Sequence, residues 1–210
     1  MKNIEKFEQL FNQFLQCVTT LQEALNVSFA EVLTETFDNL ENNKIKVEMG
    51  APDEETVAKL GEMYKKLNYD ELPRQTKIQV FSYLALKAVN DDGRDVNQMH
   101  TPPVLATIIA LIMQKLLPDK ELDILDPAIG TGNLLYSVIN QLKDRNHSKN
   151  LYRLYGIDND EDMLNLADVA AHLNDLDIEL YCQDAILPWM VPSPDAVVSD
   201  LPIGYYPLDE

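Results

Sequence analysis

The second half of the chain contains four short apolar segments that each lead into an aspartate. The segments are 122–125, 152–157, 178–182 and 195–199, and the aspartates are Asp126, Asp158, Asp184 and Asp200. Helical patterns separate the segments, so we expect strands that alternate with helices and form a mostly parallel sheet with right-handed crossovers. Ligands of such sheets bind at the carboxyl ends of the strands. The alternation therefore predicts an α/β sheet with four acids at its ligand-binding edge.

A glycine turn follows the first predicted strand. The turn reads DPAIGTG, from Asp126 to Gly132, and a helix is expected from Asn133 to about Lys143. Glycines at 130 and 132 permit a tight turn and a close approach of the backbone to a ligand. Leu135 stands where a dinucleotide-binding GxGxxG motif has its third glycine. The missing glycine weakens a dinucleotide interpretation and leaves open an adenosine ligand without pyrophosphate, whose ribose hydroxyls an acid at position 158 could bind.

The first half of the chain has apolar residues at helical spacing. We expect about four helices, at residues 4–25, 29–40, from Asp53 to about 67 and at 73–89, with a short extended segment at 45–49. Ser28 and Asp53 are predicted helix N-caps. Because this half has no cluster of reactive side chains, a structural or docking role is favoured over catalysis. We divide the chain into a helical domain, 1–95, and an α/β domain, 96–210.

Residues 97–103, between these two parts, allow two interpretations. Thr101 can cap the apolar helix that follows at 104–117, and prolines suit its first turn. Alternatively, the amides at this helix N-terminus could bind a carboxylate. On local grounds the structural interpretation is favoured.

Composition limits the function classes. The net charge is −18, and from Lys120 to Glu210 there are 5 Lys and Arg against 17 Asp and Glu, so this half is no DNA-gripping surface on its own. The two cysteines and three histidines lack the spacing of a disulfide framework or a metal site. We find no signal peptide, and the longest apolar run, 104–113, is too short to span a membrane. We expect a cytoplasmic protein without a metal.

The motif DPAIGTGNLL resembles the first motif of class I S-adenosylmethionine (SAM)-dependent methyltransferases. The resemblance is strongest to the DNA methyltransferases that modify adenine at N6, which usually have DPACGTGxLL; here Ile129 replaces the frequent cysteine. His-Thr-Pro-Pro at 100–103 is similar to the upstream segment that contacts the methionine end of SAM. The resemblance covers residues 95 to 207 and implies a Rossmann-like fold. Together with the helical first half, it is similar to type I methyltransferase subunits and their shorter bacterial relatives.

The resemblance implies a role for particular positions. It assigns SAM binding to His100, Thr101, Pro102, Asp126, Ala128, Gly130, Gly132, Asp158, Asn159, Asp184 and Ala185. Within this set, Asp158 would bind the ribose and Asp184 the adenine amino group. Asp200, Leu201, Pro202 and Ile203 fall where the family has its catalytic (N/D)PP(Y/F) motif. There the acid and a proline carbonyl accept hydrogen bonds from the target amine, which then attacks the SAM methyl group.

The catalytic segment departs from the family pattern, because Leu201 replaces the first proline and Ile203 the stacking aromatic ring. Besides DNA adenine methylation, two alternatives therefore remain: methylation of RNA or of a protein amide, and SAM binding or assembly without catalysis. A dehydrogenase is the least favoured class. The family sheet has more strands than the four predicted here, so we expect a fragment of a longer protein. DNA is the expected partner of the full-length protein, and the helical domain the surface for a homo-oligomer or partner subunit.

Overall fold

The computed structural model describes residues 2–91, 103–118, 120–145, 152–188 and 190–200. The chain divides into two compact units, Met1–Gly93 and Arg94–Glu210. Among the described helices, none has both the length and the apolar character needed to cross a membrane.

The first unit is helical, as predicted. Its α-helices are α1 (Lys2–Leu25), α2 (Phe29–Glu41), α3 (Glu54–Leu67) and α4 (Arg74–Asp91), and a 3-10 helix, Tyr69–Glu71, precedes α4. Aromatic rings meet in its core: the centroids of Phe14 and Phe37 lie 5.8 Å apart, and those of Phe37 and Phe81 lie 5.0 Å apart. The helical pattern of the sequence therefore reports core packing here.

Both predicted helix caps of this unit are present. Ser28 Oγ accepts from the amide of Glu31 at 3.0 Å, and Asp53 Oδ1 accepts from that of Thr56 at 2.8 Å. The short extended segment expected at 45–49 is not part of a sheet: the Lys46 amide donates to Asn39 Oδ1 at 2.8 Å, and Glu48 forms an isolated bridge with Ala51. Two residues separate these partners, so the segment turns back on itself instead of joining a sheet.

The second unit has the predicted Rossmann-like α/β architecture. Its elements are α5 (Pro103–Leu116), β1 (Leu122–Asp126), α6 (Asn133–Arg145), β2 (Tyr152–Asp158), α7 (Glu161–Asn174), β3 (Ile178–Cys182) and β4 (Ala196–Val197). The sheet order is β3-β2-β1-β4, and every pair is parallel. All five residues of β1 are buried, as expected for an inner strand of a parallel sheet.

The fourth strand is shorter than the predicted 195–199. Ala196 and Val197 are in register with β1, and the Val198 amide also donates to the Leu125 carbonyl at 2.9 Å. Asp195 contacts β1 through both its side chain and its backbone. Its Oδ2 accepts from the amide of Asp123 at 3.1 Å, while its own amide donates to the Asp123 carbonyl at 2.8 Å. The segment thus follows β1 closely although its regular ladder is brief.

Candidate functional site

The turn after β1 has a backbone that requires glycine. Gly130 and Gly132 have φ angles of 51° and 76°, in the left-handed region that side chains disfavour. The amide of Gly132 donates to the Ile129 carbonyl at 2.8 Å, which closes the turn just before α6 begins. Asp126, at its start, is 2% exposed and accepts from the amide of Ala128 at 3.1 Å.

Asp158, the last residue of β2, holds this turn against its strand. Its Oδ2 accepts from the amide of Gly130 at 2.9 Å, and its Oδ1 accepts from that of Asp160 at 3.0 Å. A second link joins the Ile129 amide to the carbonyl of Ile157 at 2.9 Å. A carboxylate has about four acceptor positions, so Asp158 can fix the turn and still accept hydrogen bonds from a ligand.

The acids at this edge influence one another electrostatically. The pKa of Asp126 is raised to about 7, mainly by burial and to a smaller extent by the negative charges of Asp158 and Asp200, against the opposing effect of the Ala128 amide and the Ser199 hydroxyl. The pKa of Asp158 is also raised, mainly by burial, against the opposing effect of its backbone hydrogen bonds. This concentration of acids favours a ligand with positive charge.

The end of β3 completes the edge on one side. The amide of Gln183 donates to the Asp158 carbonyl at 2.9 Å, and the exposed Asp184 uses Oδ1 to accept from the Ile186 amide at 2.9 Å. Ile186 is 92% exposed, and Leu187 is exposed beside it. Apolar side chains open to solvent next to an acid could cover the face of a planar ring. Neither residue was among the site residues predicted from the sequence. An apolar pair outside any strand or helix could have indicated a ligand-binding surface there.

Most of the predicted cofactor residues come together at this edge. Asp126, Ala128, Gly130, Gly132, Asp158, Asn159, Asp184 and Ala185 all lie at or directly after the carboxyl ends of β1, β2 and β3. Asp200 lies beyond β4 at the corresponding end and is exposed. His100, Thr101, Pro102, Leu201, Pro202 and Ile203 lie outside the described residues.

Two side-chain contacts that support the turn were not predicted from the sequence. A Cβ on Gly156 would lie 2.4 Å from Ile129 Cδ1, so the missing side chain makes room for isoleucine. A Cβ on Gly132 would lie 2.0 Å from Tyr136 Cε2. A glycine within a strand signals such close packing, but the sequence does not say which residue fills the space.

No group of histidine, cysteine, aspartate and glutamate in the described part of the chain could hold a metal ion. The donor set at the edge is instead backbone amides and carboxylates. These groups suit the hydroxyl, amino and charged groups of an adenosine ligand.

Comparison with known proteins gives a family match. The family model for N-6 DNA methylase matches residues 78–203. The uncharacterized protein YtxK of Bacillus subtilis is 32% identical over 191 residues, which are 90% of this chain and 56% of YtxK.

Two solved structures are similar in fold. A crystal structure from Listeria monocytogenes, described provisionally as a class I SAM-dependent methyltransferase, has a TM-score of 0.76 and 31% identity. The likeness covers 97% of this chain and 61% of that one. The type I restriction-modification methyltransferase subunit of Streptococcus thermophilus has a TM-score of 0.56 at 15% identity, over 89% of this chain and 43% of that one. The latter likeness supports the fold alone.

The chain spans between half and two thirds of the length of YtxK and of the Listeria protein. The matched residues, 78–203, include the glycine turn and the four aspartates at or after the ends of the strands. The chain belongs to the N-6 DNA methylase family.

Proposed function

We propose that the α/β unit binds SAM at the carboxyl edge of its sheet and serves a methyltransferase that modifies adenine at N6 in DNA. The observation that carries the proposal is the 2.9 Å hydrogen bond from the Gly130 amide to Asp158 Oδ2. It joins the glycine turn and the acid at the end of β2 into one rigid wall. The resemblance assigns SAM binding to both the glycine turn and Asp158, which lie in different segments of the sequence. Their direct contact supports a single pocket for one ligand.

Each wall of this pocket suits a different part of SAM. The turn at 128–132 would approach the methionine part, Asp158 would accept from the ribose hydroxyls, and Asp184 from the adenine amino group. The exposed Ile186 and Leu187 would lie against the adenine ring. SAM carries a sulfonium and an ammonium group, so the acids Asp126, Asp158 and Asp200 favour it electrostatically.

For transfer, SAM supplies a methyl group on a positively charged sulfur. We expect Asp200 and the backbone carbonyl of the next residue, where leucine at 201 replaces the first proline of the family motif, to accept hydrogen bonds from the target amine and to aim its lone pair at that methyl group. The exposed position of Asp200 beyond β4 agrees with a role toward an incoming base. A flipped adenine would also need a surface to stack on.

Two alternatives keep their support from the catalytic segment, where leucine and isoleucine stand at 201 and 203. One is methylation of RNA or of a protein amide, both of which present planar nitrogens. The other is a SAM-binding or assembly protein without transfer activity. The helical domain, 1–95, is proposed as the surface for a homo-oligomer or a partner subunit.

Calorimetric titration of the full-length protein with SAM tests the pocket. We expect Asp158→Ala to weaken binding by about 1–3 kcal/mol, because hydrogen bonds to a charged acceptor are lost. Asp177→Ala is the matched control, since it removes an exposed acid that lies before β3, away from the edge. Absence of SAM binding by the folded wild-type protein would refute the proposal.

Incubation with methyl-labelled SAM tests the substrate. DNA, RNA and protein pools are offered separately, and label in N6-methyladenine of DNA is the expected outcome. Label in RNA or protein favours the first alternative. SAM binding without label in any pool favours the second.

A further inference from the structure

Tyr136 lies in the first turn of α6, directly beneath the glycine turn. It is 2% exposed. The Gly132 position stands so close to its ring that an added Cβ would be 2.0 Å from Cε2 and 2.4 Å from Cζ. These distances are far below a normal carbon–carbon contact. The tyrosine ring therefore packs against the turn at Gly132, in the space that a side chain there would need.

The hydroxyl of Tyr136 reaches another element. It donates to the carbonyl of Ala167 on α7 at 2.9 Å, in a buried position. Ala167 lies inside α7, where its carbonyl is also the acceptor for the helical hydrogen bond from four residues on. The carbonyl therefore does not need the tyrosine. A phenylalanine would fill nearly the same volume without a polar group. Burial of a hydroxyl costs free energy unless the hydroxyl is hydrogen-bonded.

Helix α7 is the element that fixes Asp158. Two residues separate it from the end of β2, and the second of them, Asp160, caps it by accepting from the amide of Asp162 at 3.0 Å. The same Asp160 donates its own amide to Asp158 Oδ1. The glycine turn and the start of α6 are thus joined to the β2–α7 segment by three hydrogen bonds. Those of Ile129 with Ile157 and of Gly130 with Asp158 reach β2, and that of Tyr136 with Ala167 is the one that reaches α7.

We propose that Tyr136 is a positioning residue for the cofactor pocket, which holds the glycine turn at a fixed distance from Asp158 before any ligand arrives. A turn that is already in its binding shape loses less conformational freedom when a ligand binds. The inference rests on the proposed function for the identity of the ligand, SAM, but the tether itself belongs to the ligand-free protein.

Tyr136→Phe keeps the ring beneath Gly132 and removes only the tether. We expect SAM to bind about three- to tenfold more weakly in calorimetry, the equivalent of one ordinary hydrogen bond. In the ligand-free variant, amide hydrogen exchange of a peptide that covers 128–134 should be faster than in the wild type.

Tyr155→Phe is the matched control. Tyr155 is a second buried tyrosine of the same unit, in β2, and its hydroxyl lies near Asp123, at the other end of β1. We expect this variant to leave both SAM affinity and exchange at 128–134 unchanged, whatever it does to the thermal midpoint.

The inference is overturned if Tyr136→Phe behaves as the control does, with lower stability but wild-type affinity and exchange in the turn. If the wild-type protein does not bind SAM, the proposed function fails. In that case the exchange experiment, which uses no ligand, still decides whether the tether holds the turn.

Discussion

The side chain of Ile129 occupies the space that Gly156 leaves open, and a Cβ at 156 would lie 2.4 Å from Ile129 Cδ1. The Ile129 amide also donates to the carbonyl of the next residue of β2, Ile157, at 2.9 Å. Side chain and backbone thus hold the glycine turn on β2 together. The residue at 129, where the family often has cysteine, is matched to a glycine on the neighbouring strand.

Gly156→Ala should therefore reduce the free energy of unfolding by about 1–3 kcal/mol through overpacking. Ile129→Val removes the Cδ1 atom that an alanine Cβ at 156 would meet at 2.4 Å, whereas the contact with Leu180 Cδ2, at 2.8 Å, remains. We expect the double variant to lose less stability than the sum of the two single variants. Urea denaturation of all three measures this coupling.

Gly61→Ala is the control for that series. Gly61 lies inside α3, has an ordinary helical φ and has open space around its Cα. We expect a gain of about 0.5–1 kcal/mol there, because alanine favours the helix. Strict additivity of Gly156→Ala and Ile129→Val would contradict the proposed fit between the two residues.

The pKa of Asp126 makes stability depend on pH. It is raised to about 7 in the folded protein, against about 3.9 in an unfolded chain. A raised pKa means that the folded state holds the proton more tightly. The resulting contribution is full below about pH 4 and is lost as the pH rises through 7, with a slope of up to about 1.4 kcal/mol per pH unit.

Asp126→Asn separates this contribution from others. The amide keeps an oxygen for the Ala128 N–H but cannot ionise, while Asp158, Asp200 and Tyr136 around it stay in place. We expect the variant to gain stability relative to the wild type between pH 5 and about 8 in urea denaturation. Parallel curves for the two proteins would show that Asp126 titrates normally.

The two cysteines should differ sharply in reactivity. Cys17 is 1% exposed in α1, and burial raises the pKa of its thiol to about 12, whereas Cys182 is exposed at the end of β3. The thiolate is the reactive form. We therefore expect an aromatic disulfide reagent to label Cys182 quickly in the native protein and Cys17 only after unfolding. Cys182→Ser should remove the fast reaction.

Cys182 also reports on the proposed pocket, since its Sγ lies 3.9 Å from the carbonyl oxygen of Asn159. Saturating SAM should slow its labelling. Labelling that is unaffected at SAM concentrations where calorimetry detects binding would place the ligand away from the end of β3.

The cap of α2 gives a test of the helical unit. Ser28→Ala removes the acceptor of the Glu31 amide, and we expect a loss of about 1 kcal/mol in the free energy of unfolding of this unit. Ser28→Asp keeps an acceptor there and should retain most of the stability. Equal losses of unfolding free energy in both variants would mean that the Ser28 hydroxyl stabilises the unit by some means other than capping α2.

Sequence patterns predicted the elements of this chain better than the contacts between them. The bounds of β2 and β3 follow from runs rich in apolar residues that end at Asp158 and Cys182. Residues 154–157 of β2 are buried, as an inner parallel strand requires, whereas the residues of β3, at the edge of the sheet, are half-buried or exposed. For the segment 45–49, weak alternation predicted an extended backbone. Alternation alone cannot identify a partner strand, and the segment does not join a sheet.

The candidate site was predicted in the same partial way. Parallel topology is enough to bring Asp126, Asp158 and Asp184 to one edge. The contacts that shape the turn, Ile129 with Gly156 and Tyr136 with Ala167, join residues 27 and 31 positions apart. Such pairs depend on the register and packing of whole elements, which a single sequence does not encode in any local pattern.

The position of β4 links the pocket to the order of folding. Leu125 of β1 pairs with Val197 of β4, so this ladder closes a loop of about seventy residues, at a considerable entropic cost. Pairing between residues so far apart in the sequence is slow. β1 is the first strand in the chain, but its pairing with β4 must wait for a segment about seventy residues later. A ligand that contacts both Asp126 and Asp200 would bridge that loop and slow the detachment of β4. The acids that we propose to bind the cofactor would then also govern the kinetic lifetime of the sheet.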